Sequence, residues 1–123
     1  VNLQRLDVSL NGLDGVIPTS LGTLSKMTSL SLASNDFVAS AIPPFLGSMP
    51  LLRELSLKAT RRTGNIPPWL GTDFSHLVLL DLDSNNLTGN VPTQIASLGK
   101  LEYLLLSRNN LTGEMPTEMS AMS

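Results

Sequence analysis

Cysteine is absent from the 123 residues, so neither a disulfide framework nor a thiolate metal site can be built. Histidine occurs once, as His76, with no serine motif beside it to make a nucleophile and base pair, so it reads as an exposed corner residue. No apolar run approaches the ~20 residues a helix needs to cross a bilayer. No glycine-rich phosphate loop is present. Charge is scarce, and the net value of −2 predicts no pull toward nucleic acid or an anionic membrane. The chain opens on Val1 without a basic start and apolar core, so a secretory signal is either absent or already removed. The missing initiator methionine points to a mature protein or a fragment. With 41% hydrophobic residues the chain is globular, one domain in size.

What is abundant is repetition. "SNNLTGNVP" at residues 84–92 returns 24 residues later as "RNNLTGEMP". Weaker copies begin at Asn11 ("NGLDGVIP"), Asn35 ("NDFVASAIP") and Thr60 ("TRRTGNIP"). With Asn85 and Asn109 these make five anchors spaced 24, 25, 25 and 24 residues apart. The same apolar rhythm precedes each anchor: Leu3, Leu6, Val8; Met27, Leu30, Leu32; Leu52, Leu55, Leu57; Leu77, Leu80, Leu82; Leu101, Leu104, Leu106. After each proline a second apolar pair follows, from Leu21 and Leu24 in the first copy to Met119 and Met122 in the last.

A fixed period of 20–50 residues marks a stacked architecture. The L-x-L alternation is a short strand with one buried face, too short to stand alone, so successive coils must stack it into a parallel sheet. Each tight turn after a strand leaves buried backbone groups in need of partners. The anchor asparagines Asn11, Asn35, Asn85 and Asn109 carry both donor and acceptor and are read as an internal amide ladder. The stretch after each proline is read as a short helical or 3-10 segment on the convex side.

The pattern L-x-x-L-x-L-x-x-N-x-L-x-G-x-I-P resembles the leucine-rich repeats, and the L-T-G-x-I-P ending resembles their plant-type subclass. The resemblance covers nearly the whole chain. It implies an α/β solenoid of about five repeats, a right-handed superhelix with a concave parallel β-sheet. It also implies a recognition scaffold binding a protein, peptide or glycan ligand as in receptor-like kinase ectodomains; the residues themselves offer no catalytic constellation, so no enzymatic activity or cofactor is expected. A secreted inhibitor of cell-wall-degrading enzymes, similar to polygalacturonase-inhibiting proteins, is the second reading. A structural subunit of a larger plant, algal or protist assembly is the third. Location follows the first reading, extracellular or in a membrane-receptor ectodomain, with an organelle lumen as the alternative. Neither end carries a charged or cysteine-bearing cap, so residues 1–123 are expected to be a piece of a longer solenoid or to have neighbouring subunits over both ends.

Departures from the pattern carry separate information. In the third copy Thr60 replaces the anchor asparagine, and Arg62 stands where Leu13, Phe37, Leu87 and Leu111 stand in the others. Burying a guanidinium is costly, so this corner is expected to open outward or to pair the charge. Arg61 and Arg62 then form either a basic knuckle for an acidic partner or a locally loosened coil, and the cost of burial favours the second. One residue is added between Asn35 and Ile42, another near Thr72–Phe74, both assigned to convex or corner segments. Asp81, Asp83 and Asn85 mimic the start of a calcium loop. Asn86 and Pro92 stand where that loop needs glycine and a carboxylate, so no metal is expected.

The strand residues between the buried leucines should face outward as columns. They are mostly polar in the first three copies. In the last two, Val78, Leu79, Tyr103 and Leu105 form an apolar island bordered by Asp81, Asp83, Glu102 and Arg108. Such an island with a polar rim is a candidate partner-binding surface, against the alternative of a sheet face covered by neighbouring chain. Two glycosylation acceptors, Asn86 and Asn110, sit one residue after anchor asparagines.

Overall fold

The computed structural model describes residues 2–121; Met122 lies outside them. The first coil runs β1 (Arg5–Asp7), β2 (Asp14–Gly15) and a 3-10 helix, η1 (Thr19–Thr23). The second runs β3 (Ser29–Ser31), β4 (Asp36–Phe37), β5 (Ser40–Ala41) and η2 (Pro44–Ser48). In the third, β6 (Glu54–Ser56) and β7 (Arg62–Asn65) precede η3 (Pro68–Gly71). The fourth holds β8 (Leu79–Asp81), β9 (Asn86–Gly89) and η4 (Thr93–Ser97), and the fifth β10 (Tyr103–Leu105), β11 (Asn110–Leu111) and η5 (Thr117–Ala121).

One strand of each coil joins a five-stranded front sheet in the order β1-β3-β6-β8-β10, all neighbours parallel. The register places Leu6, Leu30, Leu55, Leu80 and Leu104 side by side. Their side chains, those of Leu32, Leu57 and Leu82, and the convex residues Leu46, Leu70 and Ile95 share one core. Each fully buried leucine contributes about 1.5–3 kcal/mol of transfer free energy, which outweighs the weak intrinsic stability of three-residue strands. On the convex side the prolines Pro18, Pro43, Pro67 and Pro92 sit in extended conformation just before η1 to η4. Each carbonyl accepts from the residue three positions on, opening the 3-10 turn. Where η3 meets η4 the backbones nearly touch: a Cβ on Gly71 would collide with the Gln94 carbonyl, so only glycine fits.

The corner after each front strand explains the anchor. Leu10, Ser34, Ala59, Ser84 and Arg108, each immediately before an anchor position, have φ between 52° and 60°. A left-handed conformation costs a non-glycine residue roughly 1–2 kcal/mol, so something must hold the corner. Asn85 does so. Its Nδ2 donates to the carbonyls of Leu57, Leu82 and Asp83 at 2.9–3.3 Å, and its Oδ1 accepts from the amides of Thr60 and Arg62 at 3.1 and 2.9 Å. Asn35 and Asn109 repeat this arrangement across their own coil boundaries. Asn11 differs: it is exposed and donates only within its own coil, to Val8 and Ser9.

The third coil overturns one expectation. Its corner neither opens outward nor pairs its charge with a carboxylate: Arg62 is 2% exposed. Its Nε donates to the Thr60 carbonyl at 3.0 Å, Nη1 to Ala41 at 3.0 Å and Nη2 to Val38 at 2.6 Å. Burial is tolerated because backbone oxygens replace water around the guanidinium. Two of these acceptors flank the extra residue of the second coil. There the chain between β4 and β5 breaks the lateral sheet, so that β4 pairs with β2 while β5 joins the stack β5-β7-β9-β11. The added residue is therefore accommodated at the gap between β4 and β5, and Arg62 of the next coil holds the carbonyls on either side of it. Arg61 is the exposed one, 3.5 Å from Asp36. The extra residue near Thr72 is absorbed differently: the amides of Thr72 and Asp73 both donate to the Trp69 carbonyl, at 3.1 and 2.9 Å.

Candidate functional site

Alternation along a strand sends every second side chain out of the front sheet, and the register then assembles columns. Arg5, Ser29, Glu54, Leu79 and Tyr103 form one; Asp7, Ser31, Ser56, Asp81 and Leu105 form the next. Leu79 thus lies beside Tyr103, and Asp81 beside Leu105. Val78 and Glu102 flank them, joined by a 2.8 Å backbone hydrogen bond from the Glu102 amide to the Val78 carbonyl. Val78 and Leu79 are half-buried, whereas Tyr103 is 58% and Leu105 43% exposed. An exposed aromatic ring next to two aliphatic side chains is what interface centres are built from.

The rim is less open than the sequence suggested. Asp83 is buried, its Oδ2 accepting from the Ser84 hydroxyl at 2.7 Å and from Arg108 Nη2 at 3.1 Å. The Ser84 bond, with the bond and charge of Arg108 and the charge of Lys58 alongside, holds its carboxyl below the usual carboxylate range against the opposing pull of burial. Asp81 uses Oδ1 to accept from the Asp83 amide at 3.0 Å. Of the rim, Glu102 and the outer face of Arg108 remain exposed.

Toward the first coils the same face carries a hollow of about 510 Å³, edged by Leu79 and lined by Asp7, Ser29, Ser31, Glu54 and Ser56. Arg5 lies 3.9 Å from Glu54 at its margin, a solvent-exposed pair that contributes little. Leu79 makes the apolar island and this hydroxyl-lined hollow continuous, and the site is larger than the sequence-based island. The signal was present in the serine column, but hydroxyls on an exposed strand face are too common to stand out.

The remaining candidates lie elsewhere. Asn86 and Asn110 are exposed on β9 and β11 of the lateral sheet, Asn110 Nδ2 donating to Asn86 Oδ1 at 2.7 Å. His76 is exposed before β8. Trp69 is half-buried on the convex side, edge-on to Phe74 with centroids 6.2 Å apart. Among the described residues no cluster of histidine and carboxylate side chains could hold a metal ion, and no helix is long and apolar enough to cross a membrane.

Comparison with known proteins agrees with this architecture. Leucine-rich repeat family models match residues 50–111 and residues 2–24. Receptor-like protein 41 of Arabidopsis thaliana is 35% identical over 73% of this chain and 10% of its own length. Receptor-like protein EIX1 of Solanum lycopersicum is 37% identical over 77% of this chain and 9% of its own. The chain therefore spans about a tenth of the curated relatives it matches. Among solved structures, the Arabidopsis receptor kinase HAESA, in complex with the peptide hormone IDA and the co-receptor SERK1, superposes with a TM-score of 0.94 at 40% identity. That match covers 98% of this chain and 20% of HAESA. Repeat period, parallel front sheet, asparagine-held corners and these matches together make the chain a member of the leucine-rich repeat family.

Proposed function

We propose that this chain is a recognition segment of a leucine-rich repeat receptor ectodomain of the plant type, acting by binding rather than by catalysis. It receives a peptide or protein segment along the front sheet, anchored on Leu79, Tyr103 and Leu105. One observation carries the reading: an exposed tyrosine lies in register with Leu79 on the adjacent strand and two residues from Leu105 on its own, continuous with a hollow lined by hydroxyls and carboxylates. An extended segment could place apolar side chains on the first and hydrogen-bond the second. The similarity to HAESA, captured with a peptide hormone, supports the class of ligand.

An extracellular location accords with the receptor-like relatives and with two exposed glycan acceptors on the lateral sheet, where a glycan would leave the front face open. Mass measurement on protein from a secretory host tests this part, and unmodified Asn86 and Asn110 would argue against it. For the binding site, a random peptide library is selected on the immobilised chain. Tyr103→Ala should weaken the selected peptides by about 1–3 kcal/mol without lowering the melting temperature. Unchanged affinity in Tyr103→Ala, with loss of binding in a convex Trp69→Ala variant, would place the site on the wrong face.

A further inference from the structure

The break in the lateral sheet opens a second cavity, distinct from the front face. It measures about 390 Å³, within the usual range for small-molecule sites, and is walled by Val16, Ile17, Val38, Pro43 and Phe45, with Arg62 among its lining residues. Val16 and Val38 are exposed at it although both are aliphatic. Three of the five guanidinium N–H groups of Arg62 are bound to carbonyls, which leaves two unused. No ion pair among the described residues includes Arg62, and Asp36, the acid on β4, faces Arg61 instead. Burial alone pushes the Arg62 pKa below its usual range, with no neighbouring acid to oppose the shift.

A buried cation without a counter-ion, at the wall of an apolar cavity, selects a particular chemistry. The single positive charge and its two remaining N–H groups match one carboxylate, whereas a phosphate dianion would bring surplus charge into an apolar setting. The aliphatic and aromatic walls require an apolar body behind the acid group. We propose that this cavity binds a small carboxylic acid with an apolar body, its carboxylate on Arg62 and its body between Val16, Val38 and Phe45. The proposal is independent of the front-face reading, since none of these residues belongs to a front strand.

Titration of the isotope-labelled chain with octanoate and hydrocinnamate, followed by amide and arginine side-chain NMR, tests it. Saturable shifts are expected at residues 16–19 and 38–45 and at the Arg62 Nε–H. The matching amides, octanamide and hydrocinnamamide, should bind at least about tenfold more weakly, because they lack the charge that the guanidinium recognises. Val38→Glu, at an exposed position, puts a competing carboxylate at the cavity and should abolish acid binding while leaving the melting temperature unchanged. No saturable shift, equal affinity for acid and amide, or undiminished binding to Val38→Glu would each overturn the proposal. So would binding of a peptide with a free C-terminal leucine when neither free acid binds.

Discussion

Asn85 and Asn11 hold the same place in the repeat yet carry different loads. Asn85 bridges two coils, its Oδ1 accepting from amides of the third and its Nδ2 donating to carbonyls of the third and fourth. Asn11 has no coil before it among the described residues and bonds only to its own turn, in solvent. Asn85→Ala should therefore cost about 2–4 kcal/mol and Asn11→Ala about 1 kcal/mol or less, as urea unfolding would measure. Equal costs would mean that the amide acts on its own turn rather than between coils. Asp83 makes a second, pH-dependent test. Its carboxyl titrates lower in the folded than in the unfolded chain, so its contribution is fully present above the unfolded value of about 4 and disappears as pH falls through the folded value. Asp83→Asn should melt below the parent at neutral pH, and the gap should close once the pH has fallen through the folded-state value of Asp83, which lies below the unfolded one. A gap that persists in acid would locate the effect in packing.

At the scale of elements, the front strands and the 3-10 segments could be read directly, because L-x-L alternation and the proline after each corner leave few conformations open. The second and third coils could not. An added residue between Asn35 and Ile42 and an arginine at 62 each look like a defect when read along the chain, and only stacking shows that one meets the other. The sequence-based reading rested on the cost of burying charge. It erred in assuming that relief must come from water or a carboxylate, when carbonyls freed by the break in the neighbouring coil supply it. The two features should therefore be energetically coupled. Deleting Ala39 alone should destabilise the chain by about 1–3 kcal/mol, and in an Arg62→Leu background the same deletion should cost much less, a coupling of about 1–3 kcal/mol. Additive effects in that double-mutant cycle would show that Arg62 and the break are unrelated. The columns of the front face were legible, but the depth of Asp83 was not, since it depends on how Ser84 and Arg108 close over it.

For the whole molecule, stability is a sum of coils and the contacts between neighbours. Leu30, Leu55 and Leu80 are fully enclosed, whereas Leu6 and Leu104 are half-buried, and Leu3 and Leu13 are exposed. Amide hydrogen exchange should accordingly be slowest in β3, β6 and β8 and governed there by global unfolding, with β1 and β11 opening locally. Uniform protection would indicate that a second copy covers the outer coils in solution. The central claim, however, is that the fourth and fifth front strands receive the partner. Its most direct measurement is the hydrogen-exchange footprint of a library-selected peptide on the chain. Slowed exchange at residues 78–82 and 102–106, with 62–71 unchanged, is the predicted result. Protection confined to the lateral and convex segments, with the strands bearing Leu79 and Tyr103 exchanging as in the free chain, would contradict it.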